Sequence, residues 1–468
     1  MKDHYDIAIV GAGPAGMAAA TVAARQGASV LLLDEQQEAG GQIYRRVASQ
    51  ALKDRNILGP DYYAGQALVS ELGASGAEHV TGATVWQVSH EREIGISKDG
   101  AARILTASQV IIATGAQERP FPVPGWTLPG VMTAGGAQVI LKSSGLAEPD
   151  AVFAGTGPLL YLVAYQFMKA GIPIRAILDT TPFKNVLRAL PHLPGGLMNI
   201  SALMKGRRWI ASLRASGIPF IKRVEDLKLI GEDSVTGIEY RLGKHWHGIK
   251  AKRIFLHQGV VPNVNLSMAA GCSHRWSTAQ LCWHGETDDW AETDIPGIAI
   301  AGDGVAIGGA KAAEYLGQIA AYGALHRCGY LDIKERDSLA APFRKALSRE
   351  MRLRPFLDAM FQPPPNFRIP DGDATIVCRC EEVPAGLIRE SVALGCVGPN
   401  QLKSFSRCGM GPCQGRFCGL TVSEMIAEAR GVPVAEVGAL RLRPPVKPLI
   451  LGELADMAVE PGSLPGGD

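Results

Sequence analysis

Short unbroken apolar runs that end in glycine punctuate the chain, and each is followed by a stretch of helical length rich in alanine or leucine. Asp6–Val10, closed by Gly11, is the first such run. A run this short that is apolar on both faces predicts a strand buried in a parallel sheet. Met17–Gln26 then predicts a helix, and Val30–Leu33 a second buried strand. Strand, helix and strand within about 30 residues form one parallel unit with a right-handed crossover. The same pattern returns about 140 positions later. There Ala151–Ala154 predicts a strand, Leu159–Ala170 a helix and Ile174–Leu178 a strand. Val110–Ile112 and Ile298–Gly304 are further strand ends, the latter leading to an alanine-rich helix from near Gly309. The pattern stops at Gln362-Pro363-Pro364-Pro365-Asn366 and Ile369-Pro370-Asp371-Gly372, which predict a stiff polar linker. Beyond it, Leu387–Leu394 and Thr421–Arg430 predict two helices. The segment from about Gly431, with Pro444, Pro445 and Pro448, predicts an extended tail lying over another surface of this chain or of a partner.

Composition narrows this picture. The 468 residues leave room for about three domains. A net charge of +2 gives no whole-chain signal for nucleic acid or an acidic membrane surface. The 55 glycines exceed the ordinary share of about 7%, as nucleotide folds require where backbone approaches phosphate. Ala151–Met168 carries no charge, but Gly155-Thr156-Gly157-Pro158 divides it into strand, turn and helix. With no secretory pattern at Met1–Tyr5, the expectation is a soluble cytoplasmic protein with no transmembrane span, touching a membrane peripherally at most.

Gly11-Ala12-Gly13-Pro14-Ala15-Gly16 is a GxGxxG set between a predicted strand and helix. Gly11 permits the turn, Gly13 admits pyrophosphate, and Gly16 lets helix pack on strand. The helix N-terminus adds free N–H groups and positive potential. A ribose-binding acid belongs at the end of the second strand; Asp34 is favoured and Glu35 is its rival. The glycine motif alone does not choose between FAD and NAD. Gly40-Gly41-Gln42, Ala113-Thr114-Gly115 and Ile300-Ala301-Gly302-Asp303 follow in order. With these motifs, residues 5–330 resemble the two-dinucleotide-domain flavoproteins of glutathione-reductase type. The resemblance implies that Gly41, Gln42, Ala113, Thr114, Gly115, Gly302 and Asp303 serve FAD, with Asp303 on the ribitol chain. Asp303 is also placed to cap the following helix.

The second unit departs from the pattern. Leu160 stands where the third glycine belongs, and a bulky side chain there should hold helix and strand apart. Asp179 still ends its second strand. The expectation is a degenerate NAD(P)-like site, vestigial or holding a second adenine nucleotide. Gly41 is followed by Gln42-Ile43-Tyr44-Arg45, so no cysteine pair stands beside the flavin motifs, and thioredoxin- or glutathione-reductase chemistry is excluded. No acid–base pair stands out. His245 and His247 fit a solvated strand face better than a metal pair, and Lys311 either approaches the flavin or is a solvated first-turn residue.

Nine cysteines, an odd number, argue against a disulfide framework. Cys272, Cys282 and Cys328 are scattered; Cys378, Cys380, Cys396, Cys408, Cys413 and Cys418 crowd together. Two cysteine pairs about 30 residues apart can close a four-thiolate site for zinc or 2Fe–2S. A flavin domain on the same chain favours the redox centre. Cys-x-Cys followed by Gly-Met-Gly-x-Cys-Gln-Gly-x-x-Cys resembles the domain related to bacterioferritin-associated ferredoxin, which implies a 2Fe–2S cluster on Cys378, Cys380, Cys413 and Cys418. Cys408 is then a buried thiol and the leading alternative ligand, and Cys396 belongs to the core.

Together with the Arg443-Pro444-Pro445-Val446-Lys447-Pro448 tail, the combination resembles the FAD-containing subunits of heteromeric, dye-linked amine dehydrogenases, of the opine oxidase, D-hydroxyproline dehydrogenase and hydrogen cyanide synthase type. The resemblance implies an α/β two-dinucleotide-domain flavoprotein with a small helical 2Fe–2S domain. The implied divisions are 1–147 and 263–360 for FAD, 148–262 for the degenerate domain, 361–372 for the linker, 373–432 for the cluster domain and 433–468 for the tail. It implies an electron-transfer subunit whose partner, a second flavoprotein, oxidises the substrate C–N bond; a further partner would be a small ferredoxin-like third subunit. The implied route runs from partner flavin through 2Fe–2S and FAD to a quinone or dye. The substrate class is an opine such as octopine or nopaline, or D-hydroxyproline, with glycine as in hydrogen cyanide synthase the alternative. A stand-alone NAD(P)H oxidoreductase is the rival from another class.

Overall fold

The computed structural model describes residues 1–455 and 457. The first strand–helix–strand unit forms as the apolar runs predict. His4–Val10 pairs in parallel with Val30–Asp34 and with Ala101–Ile112, and Val30–Asp34 pairs in parallel with Glu78–Thr81. Alternate side chains of His4–Val10 feed two cores. Ile7 and Ile9 pack with helices Pro14–Arg25 and Ala310–Arg327; Ala8 and Val10 pack under the strands Thr84–Val88 and Glu93–Lys98. Burying an Ile or Leu side chain this completely contributes roughly 1.5–3 kcal/mol.

Besides His4–Val10, Ala101–Ile112 has two further partners. Its first half pairs antiparallel with Glu93–Lys98, and Val110–Ile112 pairs in parallel with Ile298–Ile300. That pairing returns the distant Gly302-Asp303 strand end to the first glycine turn. Helix Ala310–Arg327 lies so close to Pro14–Arg25 that a Cβ on Gly317 would meet the Ala15 carbonyl at 2.1 Å.

The second domain is a five-stranded parallel sheet in the order Phe220–Lys222, Ile174–Asp179, Ala151–Thr156, Ile254–Gln258, Val131–Thr133. It begins earlier than a boundary at 147/148. Val131–Thr133 already pairs with Ile254–Gln258, and Phe121, Val123 and Trp126 lie in its core. A three-residue strand is too short for its periodicity to announce which sheet it joins. Two short strands, Ala116–Glu118 and Val260–Pro262, pair antiparallel where the chain crosses between domains. Between Ile174–Asp179 and Phe220–Lys222 the chain inserts the helices Phe183–Ala189, Leu193–Leu197 and Ile200–Ala215.

Residues 361–372 do not span a gap between domains, as a free linker would. Phe367 is fully buried in the second domain's core, edge-on to Phe121 at 5.4 Å. A proline-rich segment predicts stiffness, but one aromatic side chain is enough to anchor it. The cysteine-rich segment folds around its own core, with helices Ala385–Ala393, Pro399–Ser406 and Gly419–Arg430. After Gly438 the chain first crosses the cysteine module, where Asn400 donates to the Ala439 carbonyl at 3.0 Å and Lys403 to that of Arg441 at 2.9 Å, and then reaches this chain's own first domain at Val446 and Lys447, ahead of the short helix Leu451–Ala455. The Val446 side chain is buried there, its N–H donates to the Trp86 carbonyl at 2.9 Å, and Lys447 pairs with Glu35 at 2.7 Å.

Candidate functional site

Three backbone segments meet at the end of the first sheet. Gly16 faces the turn so closely that a Cβ there would lie 1.8 Å from the Gly11 carbonyl oxygen. Gly41, at φ +59°, brings its Cα side against Gly13, where a Cβ would stand 2.9 Å from the Gly13 Cα. Here lies a cleft of about 1570 Å³, whose wall includes Gly11, Gly13, Pro14, Ala15, Gly41 and Gln42. Ala113, Thr114, Gly115 and Asp303 complete that wall, so the four separated motifs converge. Small-molecule pockets commonly span about 300–1,000 Å³, and a larger cleft suits a dinucleotide. Gly16 and Gly302 lie behind the wall and set its packing: a Cβ on Gly302 would meet the Ala15 side chain at 2.8 Å.

The polar groups fit an extended anionic ligand. Helix Pro14–Arg25 presents its N-terminus to the cleft, and so does helix Ala310–Arg327 through Gly309 and Ala310. Arg45 is buried in the wall with no hydrogen-bond partner for Nε. Burial lowers its pKa, with Asp34 and Glu35 acting against that shift. An unpaired guanidinium nitrogen in the wall of a glycine-lined cleft is the kind of group a pyrophosphate satisfies. Asp34 accepts from the N–H groups of Ala12 at 2.5 Å and Gln36 at 2.7 Å, and burial raises its pKa. It therefore braces the turn while lining the cleft. For Glu35, burial pushes upward, but the bond and charge of Lys447 together with the charges of Arg416 and Arg45 outweigh it, and its pKa is lowered. Asp303 Oδ1 accepts from the N–H groups of Gly308 at 2.8 Å and Gly309 at 3.0 Å, which braces the turn before helix Ala310–Arg327 rather than capping the helix's own N–H groups, while the residue still lines the cleft.

Lys311 takes the solvated alternative, a correction to its placement beside the flavin. It pairs with Glu314 at 3.0 Å, its side chain is half exposed, and it is not part of the cleft wall. The first turn of a helix offers both directions, and the nearby carboxylate decides. His247 stacks on Tyr240 with ring centres 5.4 Å apart on an exposed strand. Among the described residues no cysteine lines the cleft, so no dithiol stands against a bound flavin.

The second unit is arranged differently. Leu160 is fully buried in the core, and neither Gly155, Gly157 nor Asp179 lines the cleft. Asp179 accepts from the Thr181 N–H at 2.9 Å, and burial raises its pKa. His257 stands against the glycine turn, with Nε2 3.4 Å from where a Gly157 Cβ would be. Its Nδ1 bonds Glu118 at 2.6 Å, and Glu118 accepts from the Gly135 N–H at 2.9 Å.

In the cysteine module, the Sγ atoms of Cys378, Cys408 and Cys418 all lie within 4.8 Å of one another, and all three residues are buried. Cys380 and Cys413 contact each other beside them. Bonds from the Cys408 and Cys418 thiols hold the Cys378 pKa down to about 2, and the same bonds to Cys378 push Cys408 and Cys418 up. Five thiols converging with no disulfide among them suit a thiolate-bound metal centre. Cys396 lies apart in the module's core. The module abuts the cleft: Arg379, Arg416 and Phe417 form part of its wall, and Gln117 Nε2 donates to the Arg416 carbonyl at 2.9 Å. Glu424, on the helix after Cys418, is buried between Arg119, 4.0 Å away, and Arg368.

Sequence reasoning passed over several of these groups. Lys142 is buried in the cleft wall and donates to the carbonyls of Gln42 at 3.2 Å and Ile43 at 2.9 Å. Burial, aided by Arg45, brings its pKa down to about 7. Its one sequence signal is a lysine inside an otherwise uncharged helix, Ala134–Ser144. Arg119, Glu424 and His257 gave none, because their partners lie far away in sequence.

Comparisons with known proteins agree with this geometry. Residues 5–319 match the family model for pyridine nucleotide-disulphide oxidoreductases, and residues 375–457 match that for the sarcosine oxidase A3 domain. An opine oxidase subunit of Agrobacterium tumefaciens (strain Ach5) is 44% identical over 98% of this chain and 92% of that protein. The hydrogen cyanide synthase subunit HcnB of Pseudomonas aeruginosa is 30% identical over 97% and 98%. The crystal structure of an L-proline dehydrogenase from P. horikoshii superposes with a TM-score of 0.72 at 18% identity, over 96% of this chain and 79% of that one. Among the described residues no helix is long and apolar enough to cross a membrane. The chain is thus an FAD-type oxidoreductase that belongs to the pyridine nucleotide-disulphide oxidoreductase family and, within it, to the group that contains these opine oxidase subunits.

Proposed function

We propose that this chain is the electron-transfer subunit of a heteromeric dehydrogenase, in which a partner flavoprotein oxidises a secondary-amine amino acid. The observation that carries the reading is the shared wall: the loop between Cys413 and Cys418 forms part of the dinucleotide cleft through Arg416 and Phe417. The substrate class is an opine, after relatives named as opine oxidase subunits, or D-hydroxyproline, with glycine the alternative. The acceptor is a quinone or a dye in its place.

In this reading Gly11, Gly13, Gly41 and Arg45 hold the FAD pyrophosphate, Asp34 or Glu35 the adenosine ribose, and Asp303 the ribitol chain. When bound, FAD would accept or release electrons singly or in pairs, and a 2Fe–2S cluster would carry them one at a time. Cys378, Cys380, Cys413 and Cys418 would hold the cluster, with Cys408 packed against it. Lys142 anchors the Gln42-Ile43 backbone and so keeps the Gly41 turn closed on Gly13. Buried Arg119, Glu424 and Arg368 fix the module to the flavin domains, and a fixed distance is the main thing a protein supplies to electron transfer. The absence of a cysteine pair from the described cleft wall disfavours disulfide reduction. The occlusion of Gly157 by His257 disfavours a stand-alone NAD(P)H enzyme.

The test is reconstitution. The purified chain alone should leave opines, D-hydroxyproline and glycine unoxidised with a dye acceptor, and adding the partner flavoprotein should restore turnover with one of them. Substrate-dependent dye reduction by the chain alone would refute the division of labour. Rapid flavin reduction by NADH would favour the stand-alone enzyme instead.

A further inference from the structure

The insertion between the second domain's strands is unlike the rest of the surface. Residues 180–224 carry eight of the chain's 47 lysines and arginines and none of its 45 acidic residues. The near-neutral total conceals this concentration. The same segment exposes its large apolar side chains. Phe183, Leu187, Leu190, Leu197, Met198 and Ile200 are each at least half exposed, although soluble surfaces carry such residues mostly singly.

The arrangement is ordered. Only Asn185 and Ala189 of helix Phe183–Ala189 are buried, and Asn185 ties that helix down by donating to the carbonyls of Met360 and Gln362. Helix Ile200–Ala215 exposes Ile200, Met204, Arg207, Arg208, Ala211 and Arg214, which recur at helical spacing along one face. That stripe is apolar at its start and cationic towards its end. Leu213 is buried on the opposite side. The insertion is therefore anchored from beneath and presents an apolar patch with a basic margin.

We propose that this insertion is a membrane-docking face that lies on an anionic lipid surface. The chemistry of the patch selects the occupant. Exposed Phe, Leu, Met and Ile side chains enter the acyl boundary, while Lys184, Arg188, Arg207 and Arg214 meet anionic headgroups, the pattern of an interfacial segment rather than a spanning one. Forty-five residues without one carboxylate match a uniformly anionic surface, and the exposed apolar side chains set among those cations match the acyl boundary beneath its headgroups. The proposal is independent of the substrate and of the electron acceptor.

The test uses the full chain and sedimentation with vesicles. Binding should be strong to phosphatidylglycerol–phosphatidylcholine vesicles, weak to phosphatidylcholine alone, and reduced by salt. Replacing Arg188 and Arg207 with glutamine should weaken binding roughly 30-fold, at about 1 kcal/mol per cation. The triple change Leu187→Ser, Leu190→Ser and Leu197→Ser should abolish binding while FAD content is unchanged, since none of these residues lines the cleft. Failure of the native chain to pellet with anionic vesicles at low salt would overturn the proposal. So would unchanged binding by the arginine double variant. If the serine variant instead lost its partner flavoprotein while the native chain ignored vesicles, the face would be a protein interface.

Discussion

Replacing Gly16 with alanine should empty the flavin site with little effect on the rest of the fold. A Cβ at position 16 would sit 1.8 Å from the Gly11 carbonyl oxygen, where ordinary contact begins at 3.4 Å. Both atoms belong to backbone, so no side chain can swing aside. The helix Pro14–Arg25 must retreat by about 1.6 Å relative to the strand. Its N-terminus and the Gly11–Gly13 turn then no longer meet the same pyrophosphate. Each charge-assisted N–H bond lost costs roughly 1.5–3 kcal/mol. Losing two weakens FAD binding by roughly 10²–10⁴-fold. The measurement is fluorescence titration of apoprotein with FAD, beside circular dichroism to establish that the fold persists. The second unit supplies the control. Leu160 occupies the equivalent position there and is fully buried, so Leu160→Ala should cost roughly 2–5 kcal/mol of stability and leave FAD affinity alone. Undiminished FAD affinity in a folded Gly16→Ala protein would refute the assignment of this turn to the pyrophosphate.

Three further outcomes are expected. Lys142 has its folded pKa lowered to about 7, so the unfolded chain binds the extra proton between that pH and the ordinary lysine value; its contribution therefore makes apoprotein stability rise with pH across this window. Lys142→Met should flatten that rise in denaturant titrations, and an unchanged slope would remove Lys142 as its source. Glu424→Gln should leave Arg119 and Arg368 buried without their shared anion and cost about 3 kcal/mol, seen as a lowered unfolding midpoint; an unchanged midpoint would show that the clamp is not stabilising. Serine at Cys378, Cys380, Cys413 or Cys418 should abolish iron content and the paramagnetic signal of the reduced protein, while Cys408→Ser should keep both. Retention of iron by Cys380→Ser together with its loss in Cys408→Ser would exchange those two ligands.

The sequence determined what is local. Gly11-Ala12-Gly13-Pro14-Ala15-Gly16 requires a turn between strand and helix whatever surrounds it, and uninterrupted apolar strands require cover on both faces. The order of Gly41, Ala113-Thr114-Gly115 and Gly302-Asp303 marked one more wall of the same cleft, because each is a backbone requirement written in a few adjacent residues. Tertiary structure decided what depends on partners distant in the chain. Whether Lys311 faced the flavin turned on Glu314, and whether the proline-rich linker was free turned on Phe367 meeting Phe121. Glu118 finds His257 across 139 positions, and Cys408 joins Cys378 through the fold of the module. Burial lowered the pKa of Lys142, a property of its surroundings and not of its neighbours in sequence. Side-chain type and short-range spacing fix backbone geometry and ligand chemistry, whereas burial and charge pairing are long-range quantities that exist only once the chain has closed on itself.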